Sequence, residues 1–229
     1  MAPGSVRSLK RDSKGIQGPV VTVMVGPERK PFTVHELIIC ASSPLFKSAM
    51  SGPWKESKEH VVNLPEDDPN IFALYSHWLY YAKIPVRIEG ATEAKPGQRL
   101  NEEYRELIRA YILGDKLLDI KFQNSVIDAI VETSSTIHPQ DGRAYYPNIP
   151  EINIAYENTT ESSKIRSLLV DMWVSKAVVN WFESPNLPKE FLISVIKGFI
   201  KNDPARMSSP KASKYYVHAS GNGNGNSKP

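Results

Sequence analysis

Val20-Val21-Thr22-Val23-Met24-Val25, then Gly26-Pro27, Glu28-Arg29-Lys30 and Pro31-Phe32-Thr33-Val34, open the stretch from Val20 to Pro85 on which the fold turns. A β-branched run, a charged turn and a short returning run predict two strands. His35-Glu36-Leu37-Ile38-Ile39-Cys40-Ala41 follows, then Ser42-Ser43-Pro44-Leu45-Phe46. Ser43 is a good N-cap, and Pro44 suits the first helical position, where its missing N–H costs nothing. Val61-Val62-Asn63-Leu64 predicts a third strand. Asp68-Pro69 repeats the cap-plus-proline signal and opens a helix from about Asn70 to Ala82. Within it Ile71, Leu74, Tyr75, Trp78 and Tyr81 recur at spacings of three and four, widened by Phe72 and Leu79, which suits a deeply packed helix.

The order and spacing of these pieces resemble the BTB (POZ) domain family. The resemblance rests on the strand pair, Val34-His35, Ser43-Pro44-Leu45-Phe46, Val62-Asn63-Leu64-Pro65-Glu66-Asp67-Asp68-Pro69, Phe72 and Trp78-Leu79-Tyr80-Tyr81-Ala82-Lys83-Ile84-Pro85. It covers roughly residues 18–132 and looks closest to the BTB proteins of filamentous fungi, to which Ser51-Gly52-Pro53-Trp54-Lys55-Glu56-Ser57 adds. It implies an α+β fold: a small sheet of about three strands covered by a bundle of short helices. His35, Ser43, Pro44, Phe46, Leu64, Pro65 and Asp68 are the residues that match the family pattern, all with structural roles. The function it implies is non-enzymatic. The family self-associates, commonly as a homodimer, and recruits other proteins, in some members as a substrate adaptor for cullin-based ubiquitin ligases. Dimeric members carry an Asp before the first strand and a basic residue before the Ser-Pro pair. Here Gly18-Pro19 and Ser42 stand in those places, so no charged pocket is expected from them.

Beyond the third strand the chain turns helical. Arg87 to Gln98, with Gly90, Pro96 and Gly97, reads as a long loop. A helix resumes at about Asn101, with Tyr104, Leu107, Ile108, Tyr111, Ile112 and Leu118 on one side. Gly114 interrupts that stripe, and a small residue there permits close packing. Asp119 is a candidate cap for a further helix carrying Phe122, Val126 and Ile130. Residues 133–160 hold Pro139, Gly142, Pro147 and Pro150 and read as a connector, with a short extended piece at Glu151-Ile152-Asn153-Ile154. Residues 161–200 predict a helical extension. One apolar stripe runs from Ile165 through Leu168, Leu169, Met172, Trp173 and Val179 to Phe182, and a last helix from about Lys189 carries Phe191, Leu192, Val195, Ile196, Phe199 and Ile200. Residues 1–17, and residues 201–229 with their Gly-Asn repeats, predict disordered basic ends.

Charge follows the same division. The chain of 229 residues has a net charge of +3. Residues 1–17 carry +3 and residues 201–229 carry +4, which leaves −4 on the remainder. A folded face that binds nucleic acid would show the opposite distribution. The competing reading is a nucleic-acid-associated regulator that uses its basic ends as arms. Cys40 is the single cysteine, so no intramolecular disulfide forms, and its apolar neighbours predict a buried small hydrophobe rather than a reactive thiol. No apolar block follows the basic residues near the start and no stretch is apolar enough to span a membrane. These features predict a protein of the cytoplasm or nucleus that is not secreted.

No catalytic, cofactor or metal pattern stands out. The sequence lacks a glycine-rich phosphate loop, a nucleophile elbow and H-E-x-x-H; His35-Glu36 is followed by Ile39 where a second zinc ligand would stand. The five histidines are isolated from one another, so no cofactor and no metal is expected. His35 reads as a partly buried histidine whose ring hydrogen-bonds backbone and orients the next helix. Glu66-Asp67-Asp68, and likewise Glu102-Glu103 with Glu106, read as acids that favour a helix N-terminus. Of the four tryptophans, Trp78 and Trp173 fall in apolar stripes. Trp54, between Pro53 and Lys55, is the candidate partner contact.

Overall fold

The computed structural model describes residues 15–87, 96–182 and 186–202. The expectations for residues 1–14, 88–95 and 203–229 lie outside the described residues. Strand β1 (Val20–Val25) turns at Gly26 and pairs antiparallel with β2 (Lys30–His35), from Val20 opposite His35 to Val25 opposite Lys30. Strand β3 (Val61–Leu64) lies parallel to β1 on its other side, giving the order β2-β1-β3. The two-residue alternation of side chains decides which face is covered. Val21, Val23 and Val25 are fully buried with Val34, Val62 and Leu64, while Val20, Thr22 and Met24 face outward. Gly26 has φ +77°, and a Cβ there would stand 3.0 Å from Pro69 Cγ, so the turn requires glycine.

Between β2 and β3 run α1 (Glu36–Ser42), α2 (Pro44–Ser51) and α3 (Lys55–Glu59). Helix α4 (Pro69–Tyr81) lays Ile71, Phe72, Leu74, Tyr75 and Trp78 against the sheet. Tyr81, expected in that stripe, is exposed: the helix stops there as Ala82 turns left-handed at φ 50°. Helices α5 (Pro96–Lys116) and α6 (Ile120–Ser135) complete the first layer. Their close approach runs through Gly114, where a Cβ would meet Gln123 Cγ at 2.9 Å and the Phe122 ring at 3.1 Å. Helix α5 begins at Pro96 rather than about Asn101, because proline is already shaped for the first helical turn. Leu118, expected on the apolar side of that helix, is exposed. The chain leaves the helix at Lys116, Leu118 takes φ 57°, and Leu117 enters the core in its place.

The stretch Glu151–Ile154 is not extended. It lies within α7 (Ile149–Asn158), which Asn148 caps through Ile149 N–H at 2.9 Å with Pro150 in the first turn. This is the cap-plus-proline device of α2 and α4, here among prolines that read as a connector. Helix α7 packs on α5, followed by α8 (Lys164–Lys176) and α9 (Lys189–Asn202). The stripe expected to continue past Lys176 to Phe182 does not do so as one helix, since α8 ends at Lys176. Ala177 is extended, and a 3-10 turn over Val179–Phe182 folds Trp181 and Phe182 back onto Trp173, at ring distances of 5.2 and 5.3 Å. Buried residues from Val21 in β1 to Val195 in α9 form one hydrophobic cluster. The architecture is α+β, a small three-stranded sheet under a helical layer with a further helical extension. No helix among the described residues is long and apolar enough to cross a membrane.

Candidate functional site

The residues that matched the family pattern lie where β2 meets α1, at the start of α2, at the end of β3 and at the entrance to α4. His35 ends β2 and enters α1; its backbone N–H donates to the Tyr80 hydroxyl at 3.0 Å, and its ring Nδ1 lies 2.8 Å from the same oxygen. The expected backbone partner is thus replaced by a side chain of α4, forty-five residues along. Ser43 caps α2, accepting Phe46 N–H at 3.3 Å, and donates its hydroxyl to Leu117 C=O at 2.6 Å. Pro44 opens α2, and Phe46 is fully buried beneath it. Leu64 closes β3 inside the core, Pro65 is exposed, and Asp68 caps α4 through Asn70 N–H at 2.8 Å.

Asp119 holds the α1–α2 joint to its neighbours. It is fully buried and caps α6, accepting Phe122 N–H at 3.0 Å on Oδ1. Its Oδ2 accepts the Tyr75 hydroxyl at 2.9 Å and the Ser42 hydroxyl at 2.5 Å. One carboxylate therefore ties the α1–α2 joint, α4 and the α5–α6 turn, and its buried lone pairs are satisfied. Burial, together with this neighbouring charge, pushes the Tyr75 hydroxyl far above the usual tyrosine range. The N-cap signal made Asp119 legible as a cap; nothing local revealed its two other partners.

Other acids do more than favour a helix start. Asp67 meets Lys116 at 2.7 Å and Asp68 meets Arg109 at 3.9 Å, linking the α4 entrance to α5. Glu102, Glu103 and Glu106 are not at a helix N-terminus, since α5 starts at Pro96. Glu103 instead accepts from Thr133 of α6 at 2.8 Å, and burial raises the carboxyls of Glu103 and Glu106. Cys40 is half-buried, and burial and then the Glu36 charge push its thiol up, away from the reactive thiolate. Among the described residues no three His, Cys, Asp or Glu side chains cluster to hold a metal ion. Two open clefts of about 610 and 650 Å³ are lined by carboxylates, amides, arginines and the rings of Tyr145 and Tyr156, and a smaller one of about 40 Å³ has His138 and Glu103 in its wall.

Trp54 sits where α3 begins with its side chain 60% exposed, and it is the only tryptophan so exposed among the described residues. Trp78 and Trp173 lie in the core, and Trp173 Nε1–H donates to Pro147 C=O. The two edges of the sheet differ. Thr22 N–H donates to His60 C=O and Gly26 N–H to Leu64 C=O, so the even positions of β1 face β3 and Val21, Val23 and Val25 face β2. In β2 this leaves Pro31, Thr33 and His35 pointing away from the sheet. Pro31 has no N–H and the His35 N–H is held by Tyr80, so only Thr33 offers a free donor. In β3 the outward positions are Val61 and Asn63, and both backbone N–H groups are open. Residues 18–99, which carry the whole sheet and Trp54, match the family model of the BTB/POZ domain, a non-enzymatic protein–protein interaction module.

Proposed function

We propose that the chain works as a protein-recruiting module without chemistry of its own, that it self-associates, and that it serves as an adaptor carrying a substrate protein to a cullin-based ubiquitin ligase. In this reading it is one of the small BTB proteins of the kind found in filamentous fungi. Trp54 supports the reading most directly. A tryptophan left 60% exposed at the start of a short helix is the sort of side chain that concentrates binding energy when a partner covers it. The open margin of β3, which directly follows that helix, adds backbone groups able to pair with an extended segment. The test is capture from cell extract with wild-type chain and with Trp54→Ala, read by mass spectrometry. A cullin recovered by the wild type and lost, or reduced at least about tenfold, with Trp54→Ala supports the adaptor role. Equal recovery by both removes Trp54 from the interface, and no cullin with either ends the adaptor reading.

A further inference from the structure

We infer that the outer face of α9 is where two copies of this chain meet, as an antiparallel pair of α9 helices about a two-fold axis. The inference deepens the self-association part of the function proposed above and rests on it. Helix α9 buries Phe191 and Val195 against α8 and turns a second apolar stripe outward. Ile193, Ile196 and Ile200, at spacings of three and four, are 41%, 55% and 71% exposed. Phe199 borders that stripe, and Phe182, 6.3 Å away ring to ring, extends it onto the 3-10 turn with the exposed Val179. Taking about 150–200 Å² for each fully exposed side chain of this size, the exposed fractions sum to on the order of 500 Å². That is near the top of the range for the largest apolar patch on a monomer. It also supplies more than half of the roughly 800 Å² that each partner contributes to a stable interface.

The charges beside the stripe select the occupant and its direction. Glu190, Lys197 and Lys201 lie on one flank of α9, seven and eleven residues apart, and all are exposed. No ion pair engages any of them among the described residues. When two such helices pack antiparallel, each flank meets its own counterpart. With Ile196 at the two-fold axis, Ile193 of one copy lies by Ile200 of the other, and Glu190 of one by Lys201 of the other. Lys197, one residue from the axis, then stands by Lys197 of the other copy, one like-charge contact against two Glu190–Lys201 pairs. In a parallel two-fold pair the same flanks lie on opposite sides of the seam, and Glu190 meets no Lys201. The same surface is thus complementary to itself in one orientation, as a two-fold interface requires.

The test is sedimentation of the full chain over a concentration series, with circular dichroism to show that each variant folds. The wild type is expected to dimerise. Ile196→Lys and Ile200→Lys should each raise the dissociation constant at least about 100-fold with an unchanged spectrum. Glu190→Lys and Lys201→Glu should each weaken the dimer about tenfold or more, and the two together should restore it, because the exchanged charges again face each other. A monomeric wild type overturns the inference, as does a dimer indifferent to Ile196→Lys or a charge exchange without rescue. So does a monomer that dimerises only when the chain is ended after Asn202, since the chain's own later residues would then occupy the stripe. Trp54→Ala should leave the dimer intact; a monomer that still captures partners through Trp54 sinks this interface and leaves the recruiting function standing.

Discussion

Replacing Asp119 by alanine should be among the most damaging single changes in the first layer, although the residue touches no ligand. The substitution removes the acceptor for Phe122 N–H, which as a lost helix cap costs about 1 kcal/mol. It also leaves the buried Tyr75 hydroxyl without a partner, at about 1–3 kcal/mol. Ser42 is half-exposed and can turn to water, so its share is small. The expected loss is about 2–4 kcal/mol, or roughly 5–15 °C in Tm for a chain of this size. Urea unfolding followed by tryptophan fluorescence measures it, since Trp78 lies 5.0 Å from the Phe122 ring beside the joint. Tyr75→Phe deletes only one donor and should cost about 1 kcal/mol. The double variant should cost less than the sum of the two, because they share a bond. An Asp119→Ala protein within about 0.5 kcal/mol of wild type would refute the claim that one carboxylate secures three segments.

Other consequences can be measured alongside it. Burial raises the hydroxyls of both Tyr75 and Tyr104 above the ordinary tyrosine value. The folded state therefore holds these protons longer than the unfolded chain, and the stability they contribute is complete below about pH 10 and lost as pH climbs beyond it. Urea midpoints between about pH 8 and 11 should fall at up to about 1.4 kcal/mol per pH unit for each tyrosine, and Tyr75→Phe should flatten that slope. Arg105 reaches the fully buried Glu151 at 3.1 Å, and Glu151 Oε2 has no hydrogen-bond partner. Arg105→Ala should then cost about 2–4 kcal/mol in urea unfolding, and adding Glu151→Gln should recover much of it by removing the stranded charge. Gly26→Ala should lose about 1–3 kcal/mol from its positive φ and its contact with Pro69, whereas Gly142→Ala, with φ +66° and open space around it, should lose only about 1 kcal/mol; thermal melts of the pair compare strain with crowding against strain alone.

Local chemistry made much of this fold readable. A β-branched run closed by Gly26, Ser43 and Asp68 each followed by proline, and the three-and-four rhythm of α4 are signals that a few neighbouring residues generate on their own. The readings that missed involve distance or competition. Asn148-Ile149-Pro150 carries a cap and a proline too, but Pro139 and Pro147 nearby made the segment look like a connector. Trp181 and Phe182 continue the periodicity of α8 in sequence yet reach Trp173 by doubling back, since several chain paths can satisfy the same apolar spacing. For α9, Phe191 and Ile196 look alike as apolar letters, and only the packing of α8 decides which of them is covered. The exposure of Trp54 was legible because it stands among polar residues. The hold of Tyr80 on His35 was not, because forty-five residues separate the two.

That hold has a consequence for how chains can pile up. With Pro31 and Tyr80 withdrawing two of the three outward donors of β2, a strand added there finds one N–H, that of Thr33, where β3 offers two. Two copies zipped together along their β3 margins would leave only these weaker β2 borders on the outside. Each is a poorer template for a further copy, which disfavours propagation into a fibre.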